Sequence, residues 1–456
     1  MSDISAIAMM FPAWSRRRRL GRGMAAIVLI VAVTAIVQAA SLISPHTSRD
    51  VMTIPGPPGD RVIPGSAQFS YGFDFAQEGP YPGAQSDAGA VASARRVLSS
   101  IPGMYEDTAI MDWGLPDPEP TPGRFDFSAI ASRIRLITST GGTPVVTLCA
   151  APDWMKKGTS PDAAPTPAHY RDFAKLAAGI AKSFPQVKYF VVWNELKGFW
   201  NKARNDWDIQ GYTTMYNDVY IAIKRVRPDA LVGGPYAPIP TYATPKSGTL
   251  PSTPHGAWGY LDPRTLNAIQ YWGVNKVGAD FIAVDGQGFP ETGPITDPLT
   301  ASEKYAAVDQ WLRQRTLLPI WWMESSIEPA DSEWSERQAA AIRVATLVQL
   351  ARSGARVGMQ WQPQQGGGGV HDEGLWTATD SPGGGRPTVL AQILPAVLTV
   401  LRHPVTVVAS QRPGVLVASG RGGTIAINTN AAPATAKVNG TSVPIGPGQV
   451  RVAYSR

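Results

Sequence analysis

The fold class this sequence predicts is α/β, a closed (β/α)8 barrel of the TIM type, and three observations predict it. Short apolar runs recur eight times between residues 69 and 361. Their spacing is roughly 35 to 50 residues, enough for one strand, one helix and two loops. Apolar residues at helical spacing fill the intervals. An open doubly wound sheet, the alternative, usually carries a glycine-rich phosphate turn after its first strand, and Gly72-Phe73-Asp74 is not one.

The strand-like runs are 69–75, 108–113, 143–148, 187–193, 230–234, 280–284, 318–323 and 357–361. Between the first two, 87–99 opens on Asp87, a residue that caps helix N-termini. Segment 127–138 carries Ile130, Ile134 and Ile137 on one face. Segment 167–183 begins with a proline, suited to a first turn, and holds Phe173, Leu176, Ala177 and Ile180 at i, i+3, i+4 and i+7. Segments 212–227, 263–272, 302–315 and 335–353 continue the alternation, and 388–401, interrupted by Pro395, closes the barrel as a last helix. The barrel is thus expected over 68–403. From 404 the texture changes to β-prone runs at 405–408, 415–418, 424–428 and 450–453, separated by Gly, Pro and Asn. These predict a small antiparallel β module over 404–456, with residues 50–66 available as a further strand.

The formal charge of +6 is concentrated at the N-terminus. Arg16, Arg17, Arg18, Arg19 and Arg22 against Asp3 supply +4 of it, so the body lacks the basic stripe that nucleic-acid binding needs. After the arginines, residues 24–43 form an apolar and small-residue segment of about 20 residues, long enough for a signal peptide or a membrane anchor. Val37-Gln38-Ala39 suits a signal-peptidase site. The arginines belong on the cytoplasmic side, which places the rest of the chain outside the cytoplasm, secreted or anchored to the membrane by residues 24–43. Residues 1–45 are therefore read as basic stretch plus signal or anchor, and the Pro/Gly/Ser-rich 46–67 as a linker. Cys149 is the single cysteine, which excludes an intramolecular disulfide and a thiolate metal cluster.

The chemistry is expected at the carboxyl ends of the strands. There the run Val191-Val192-Trp193 ends abruptly in Asn194-Glu195, and Ile320-Trp321-Trp322-Met323 ends in Glu324. Either glutamate alone would serve equally well as a helix cap or an arginine partner. Together, closing strands four and seven on one face, they match glycosidic cleavage, in which one carboxyl donates a proton and the other attacks or activates water. The expected separation is about 5 to 5.5 Å, the spacing of a retaining double displacement. Glu195 is then the acid/base and Glu324 the nucleophile, with Asn194 placed to bond a sugar 2-hydroxyl or the nucleophile. Further substrate-binding candidates at strand ends are Asp74, Asp112, Trp113, Trp154, Asp285 and Gln287, followed by Asp153, Gln360 and Gln362. Turn and capping roles suit the aspartates among them equally well. The 14 tryptophans supply both core packing and sugar-stacking faces. The loop 236–258, with His255, and the glycine-flanked His371-Asp372-Glu373 read as walls or covers of a cleft. No metal or cofactor is expected: the five histidines are scattered, and no G-x-S-x-G elbow is present.

Trp193-Asn194-Glu195 at strand four with Glu324 closing strand seven resembles the (β/α)8 clan of retaining glycoside hydrolases, most closely glycoside hydrolase family 39 and its relatives. Supporting segments are PEPTPGRFDF at 118–127, Pro152-Asp153-Trp154, Val232-Gly233-Gly234-Pro235 and Trp361, and the likeness covers roughly residues 68–405. The resemblance implies an acid/base at Glu195, a nucleophile at Glu324 and an aromatic floor at Trp361. It implies hydrolysis of a poly- or oligosaccharide, which the expected secreted or membrane-tethered placement puts in the cell envelope or its surroundings. At strand six, where relatives commonly have a His-x-Tyr-like pair, this chain has Asp285-Gly286-Gln287-Gly288. Asp285 or Gln287 takes the nucleophile-positioning place. That departure keeps open an alternative, a non-catalytic carbohydrate-binding surface protein on the same barrel.

Overall fold

Eight parallel strands close on themselves in sequence order. They are β1 (Ser70–Asp74), β2 (Tyr105–Ala109), β3 (Thr143–Leu148), β4 (Tyr189–Val192), β5 (Leu231–Pro238), β6 (Phe281–Asp285), β7 (Ile320–Glu324) and β8 (Val357–Trp361). Pairing of Ser70 with Val357 through Asp74 with Trp361 joins β1 to β8 and completes the ring. The computed structural model describes residues 68–74, 86–245, 252–290, 297–327, 333–366, 374–408, 412–438 and 440–455. The basic and apolar N-terminal stretch, the linker 46–67, the strand expected from 50–66, most of the first glycine tract and the His371 loop lie outside these residues. Among the described residues no helix is long and apolar enough to cross a membrane.

Barrel strands are buried on both faces, which is why they read as continuous apolar runs. Alternate side chains fill the interior: Val145, Val191, Phe281 and Trp321 belong to one cluster, in which Trp321 stacks on Phe281 at 4.3 Å. Their neighbours, such as Ile320 and Trp322, pack outward in the layer that contains the helices. Those helices are α1 (Ala88–Ser99), α2 (Ser128–Ser139), α3 (Tyr170–Ser183), α4 (Ile209–Val226), α5 (Pro263–Asn275), α6 (Pro298–Arg313), α7 (Glu336–Ser353) and α8 (Val389–Leu401). Asp87 caps α1 by accepting from Ala90 N, and α7 starts with a Ser335/Gln338 capping box and ends at Gly354 with φ 86°.

Three sequence expectations are corrected. The second strand spans Tyr105–Ala109 rather than 108–113, because Glu106 and Asp107, both buried, interrupt the apolar pattern inside it. Asp112 and Trp113 consequently lie beyond the strand in a turn, with φ 58° and 45°. Helix α6 begins four residues early, at Pro298, where Asp297 accepts from Thr300 N at 3.0 Å.

Among the described residues the C-terminal module has six strands, not four. Strands β9 (Val405–Val408), β10 (Val415–Gly420), β11 (Gly423–Asn428) and β14 (Val450–Tyr454) form one antiparallel sheet. Leu416, Ala418, Ile425 and Ile427 of this sheet join the core that includes α7 and α8. The hairpin β12 (Ala434–Val438) and β13 (Thr441–Ile445) escapes the hydrophobic pattern because its inward side chains are few, chiefly Ala436 and Ile445.

Candidate active site

Glu195 is presented by a tight turn just past β4. Trp193, Glu195 and Leu196 have φ of 70°, 48° and 54°, a left-handed backbone that costs non-glycine residues about 1 kcal/mol or more each. Packing beneath offsets that cost: the buried Trp193 ring meets Phe173 and Phe199, and its indole N–H donates to the Lys197 carbonyl at 2.7 Å. The turn is further closed by Lys197 N donating to the Asn194 carbonyl at 3.0 Å. It folds Lys197 back so that Nζ lies 2.6 Å from Glu195 Oε2 and 5.7 Å from the centre of the Trp113 ring.

Register shifts on both sides of β6 aim the other groups. Between β5 and β6, Ala283 pairs with Pro235 but Val284 pairs with Ala237, which leaves Tyr236 as an extra residue, at φ 51°. Between β6 and β7, Val284 pairs with Trp322 and Asp285 with Glu324, passing over Met323. Such bulges re-aim side chains at functional sites. Here they set Glu324 beside Asp285 and bring the Tyr236 hydroxyl, as donor, to 2.8 Å from Glu324 Oε1.

One carboxylate oxygen each from Glu195, Asp285 and Glu324 lies within 4.8 Å of the other two. They stand close enough to share a cation, and Lys197 Nζ already supplies one. Burial presses Glu195 toward protonation, but Lys197 and a hydrogen bond with Asp285 outweigh it, and Glu195 is held below the usual carboxylate range. Burial, and then the Glu195 and Asp74 charges, push Glu324 well up against the opposing Tyr236 hydrogen bond. Asp285 is likewise pushed well up by burial and by Glu195 and Glu324.

Asp74, at the end of β1, is paired in register with Asp107 of β2 and with Trp361 of β8. Burial and Asp107 raise it well above its ordinary value. Asp107 accepts from Thr147 Oγ1 at 2.6 Å and is pushed up to about 7 by burial. Asn194 is buried in the Glu195 turn. Trp113 reaches the cluster through Lys197. Asp112 and Trp154 serve the neighbouring loops: Asp112 feels Lys156 and Asp153, and Trp154 Nε1 donates to the Glu119 carbonyl at 2.8 Å. Gln287 is exposed, and its backbone carbonyl accepts from Lys304.

Lys197, Tyr236 and Asp107 were not among the sequence candidates. Lys197 was in view two positions beyond Glu195, and Tyr236 directly after Gly233-Gly234-Pro235. Beyond the carboxylates, the loops that follow β4 and β5 carry an aromatic rim. Trp200 meets Trp207 edge-on at 4.9 Å across a two-residue ladder, and the Arg264 guanidinium lies 4.8 Å over Trp200. Tyr260 pairs across strands with Tyr242 and stacks on His255 at 5.0 Å.

The architecture is shared with solved structures. A family 39 glycoside hydrolase from the gut symbiont Bacteroides cellulosilyticus aligns with a TM-score of 0.53 and 14% identity, over 85% of this chain and 80% of that one. A beta-glucosidase in its apo form gives 0.51 and 17%, over 73% and 98%. The exo-beta-1,4-mannosidase Op5Man5 from an Opitutaceae bacterium gives 0.50 and 16%, over 72% and 58%. The chain therefore has a (β/α)8 fold like that of a family 39 glycoside hydrolase. No protein-family model and no curated protein sequence matches it.

Proposed function

We propose that this protein is a retaining glycoside hydrolase that cleaves a poly- or oligosaccharide outside the cytoplasm. The observation that carries the reading is the approach of one carboxylate oxygen of Glu195 to one of Glu324 within 4.8 Å at the ends of β4 and β7. That proximity suits direct attack by a carboxylate; inversion needs a gap of about 6.5 Å or more for a water. Glu324 attacks the anomeric carbon as Glu195 protonates the departing oxygen, and water, deprotonated by Glu195, then releases the sugar. The Tyr236 hydroxyl orients Glu324 and favours its ionised form. The structural neighbours, a family 39 glycoside hydrolase, a beta-glucosidase and an exo-beta-1,4-mannosidase, support this reading. The pair Trp200 and Trp207 suits the leaving-group side of a longer glycan, since it follows the strand that bears the proton donor, and Tyr242 and Tyr260 stand in the loop after the neighbouring β5. The arginine cluster and residues 24–43 support a secreted or membrane-anchored location, and with it a substrate of the cell envelope or surroundings.

The test is a screen of the full-length chain, purified in detergent, against aryl glycosides and envelope polysaccharides, with the first-formed anomer read by proton NMR. Retention supports the reading; inversion contradicts it. One observation favours a second reading, a carbohydrate-binding barrel without turnover: the 2.6 Å Lys197–Glu195 ion pair leaves the acid ionised in the free protein. Saturable glycan binding with no product at any pH would select it.

A further inference from the structure

We infer that Asp285 is the resting proton store of this site: it holds the proton that Glu195 delivers to the departing oxygen. The inference rests on the proposed glycosidase reading and assigns a proton path within it. Three carboxyl groups within 4.8 Å of one another face one ammonium. Full ionisation would leave two uncompensated negative charges on adjacent groups, of which Asp285 is buried and Glu195 and Glu324 are partly open to water, so one group retains a proton. Glu195 has Lys197 at 2.6 Å, and Glu324 has the Tyr236 hydroxyl at 2.8 Å, each favouring an anion. Asp285 has neither. It is 2% exposed, its Oδ1 has no hydrogen-bond partner, and it is hydrogen-bonded to Glu195. Burial raises the proton affinity of Asp285 and Glu324 alike, and the Tyr236 hydroxyl opposes it at Glu324.

The other groups around it leave the assignment in place. Lys304 Nζ is engaged by the carbonyls of Ile239 and Gln287, and Asp74 and Asp107 on β1 and β2, which interact with Glu324, bring no positive charge to the site. Lys197 acts on Asp285 at longer range, after Glu195 and Glu324.

The step balances. The Asp285 proton passes to Glu195 and from it to the leaving oxygen, as the C1–O bond breaks and the bond from C1 to Glu324 forms. Asp285 becomes an anion while Glu324 becomes a neutral ester, so the net charge of the site does not change. In the second half, water attacks C1, its proton goes through Glu195 to Asp285, and the ester bond breaks.

Asp285→Asn tests this with two glycosides of one sugar, bearing a good (dinitrophenyl) and a poor (alkyl) leaving group. The expected result is a loss of about 100-fold or more in kcat/KM on the alkyl glycoside and less than about fivefold on the dinitrophenyl glycoside, which needs no proton. Equal loss on both overturns the inference, since a merely structural role does not sense the leaving group. If Asp285→Asn does not fold, Asp285→Ser, which also lacks a carboxyl, replaces it in the same comparison. Infrared difference spectra of the substrate-free protein supply a readout without turnover. A protonated-carboxyl band present in the wild type and missing from Asp285→Asn supports the proton store, and identical protonated-carboxyl intensity in the two proteins overturns it. Absence of hydrolysis by the wild type together with that band would instead count against the glycosidase reading.

Discussion

Lys197 Nζ lies 2.6 Å from Glu195 Oε2, so the carboxylate expected to donate a proton is ion-paired before any sugar arrives. The pairing favours the glutamate anion and, on the proposed mechanism, makes Glu195 a relay rather than a reservoir. Replacing Lys197 with Met removes the cation, and the Glu195/Asp285 pair then holds its proton to higher pH. The alkaline limb of the kcat/KM profile should move upward by about one pH unit or more. An unchanged or lowered limb would contradict this role.

Tyr236→Phe removes the donor that favours ionised Glu324. A hydrogen bond to a charged group is worth about 1.5 to 3 kcal/mol, so kcat should fall about tenfold to a hundredfold. Because the nucleophile must be ionised and its proton affinity rises, the acid limb of the profile should shift to higher pH. Steady-state kinetics across pH on one aryl glycoside reads both effects.

The barrel was legible because strands buried on both faces are written as apolar runs, and Glu195 and Glu324 stood out as their polar ends. What was hidden depends on backbone geometry that no periodicity encodes. Tyr236 is aimed by a register shift, and Lys197 is turned back by three residues with positive φ. Asp107 lies inside a strand whose two acids looked like a break in it. Asp285 was visible at the end of β6, but its position between two carboxylates was not.

Trp200→Ala should leave hydrolysis of small aryl glycosides within about twofold and raise KM for an oligosaccharide about fivefold to tenfold, the scale of one lost stacking contact. Equal KM changes on both substrates would remove the aromatic rim from the leaving-group side.

Asp309, on α6, is fully buried, accepts from Trp322 Nε1 at 2.8 Å and is pushed up to about 7 by burial. A carboxyl raised in the folded state gives stability that is complete below its unfolded value, near 4, and lost as pH rises toward 7. The loss is on the order of 4 kcal/mol, at about 1.4 kcal/mol per pKa unit. Asp309→Asn keeps an acceptor for Trp322 and carries no charge. Its melting temperature should match the wild type at pH 4 and exceed it at pH 7.5; a parallel decline in both proteins would contradict the assignment.

The account stands most directly on Glu324 as the nucleophile. The measurement is mass spectrometry of the protein after reaction with the 2-deoxy-2-fluoro analogue of a glycoside it hydrolyses. A single glycosyl adduct on the peptide containing Glu324, absent in Glu324→Ala, is the predicted result. An unmodified protein that still releases the leaving group with inversion, or an adduct on Glu195, would contradict it.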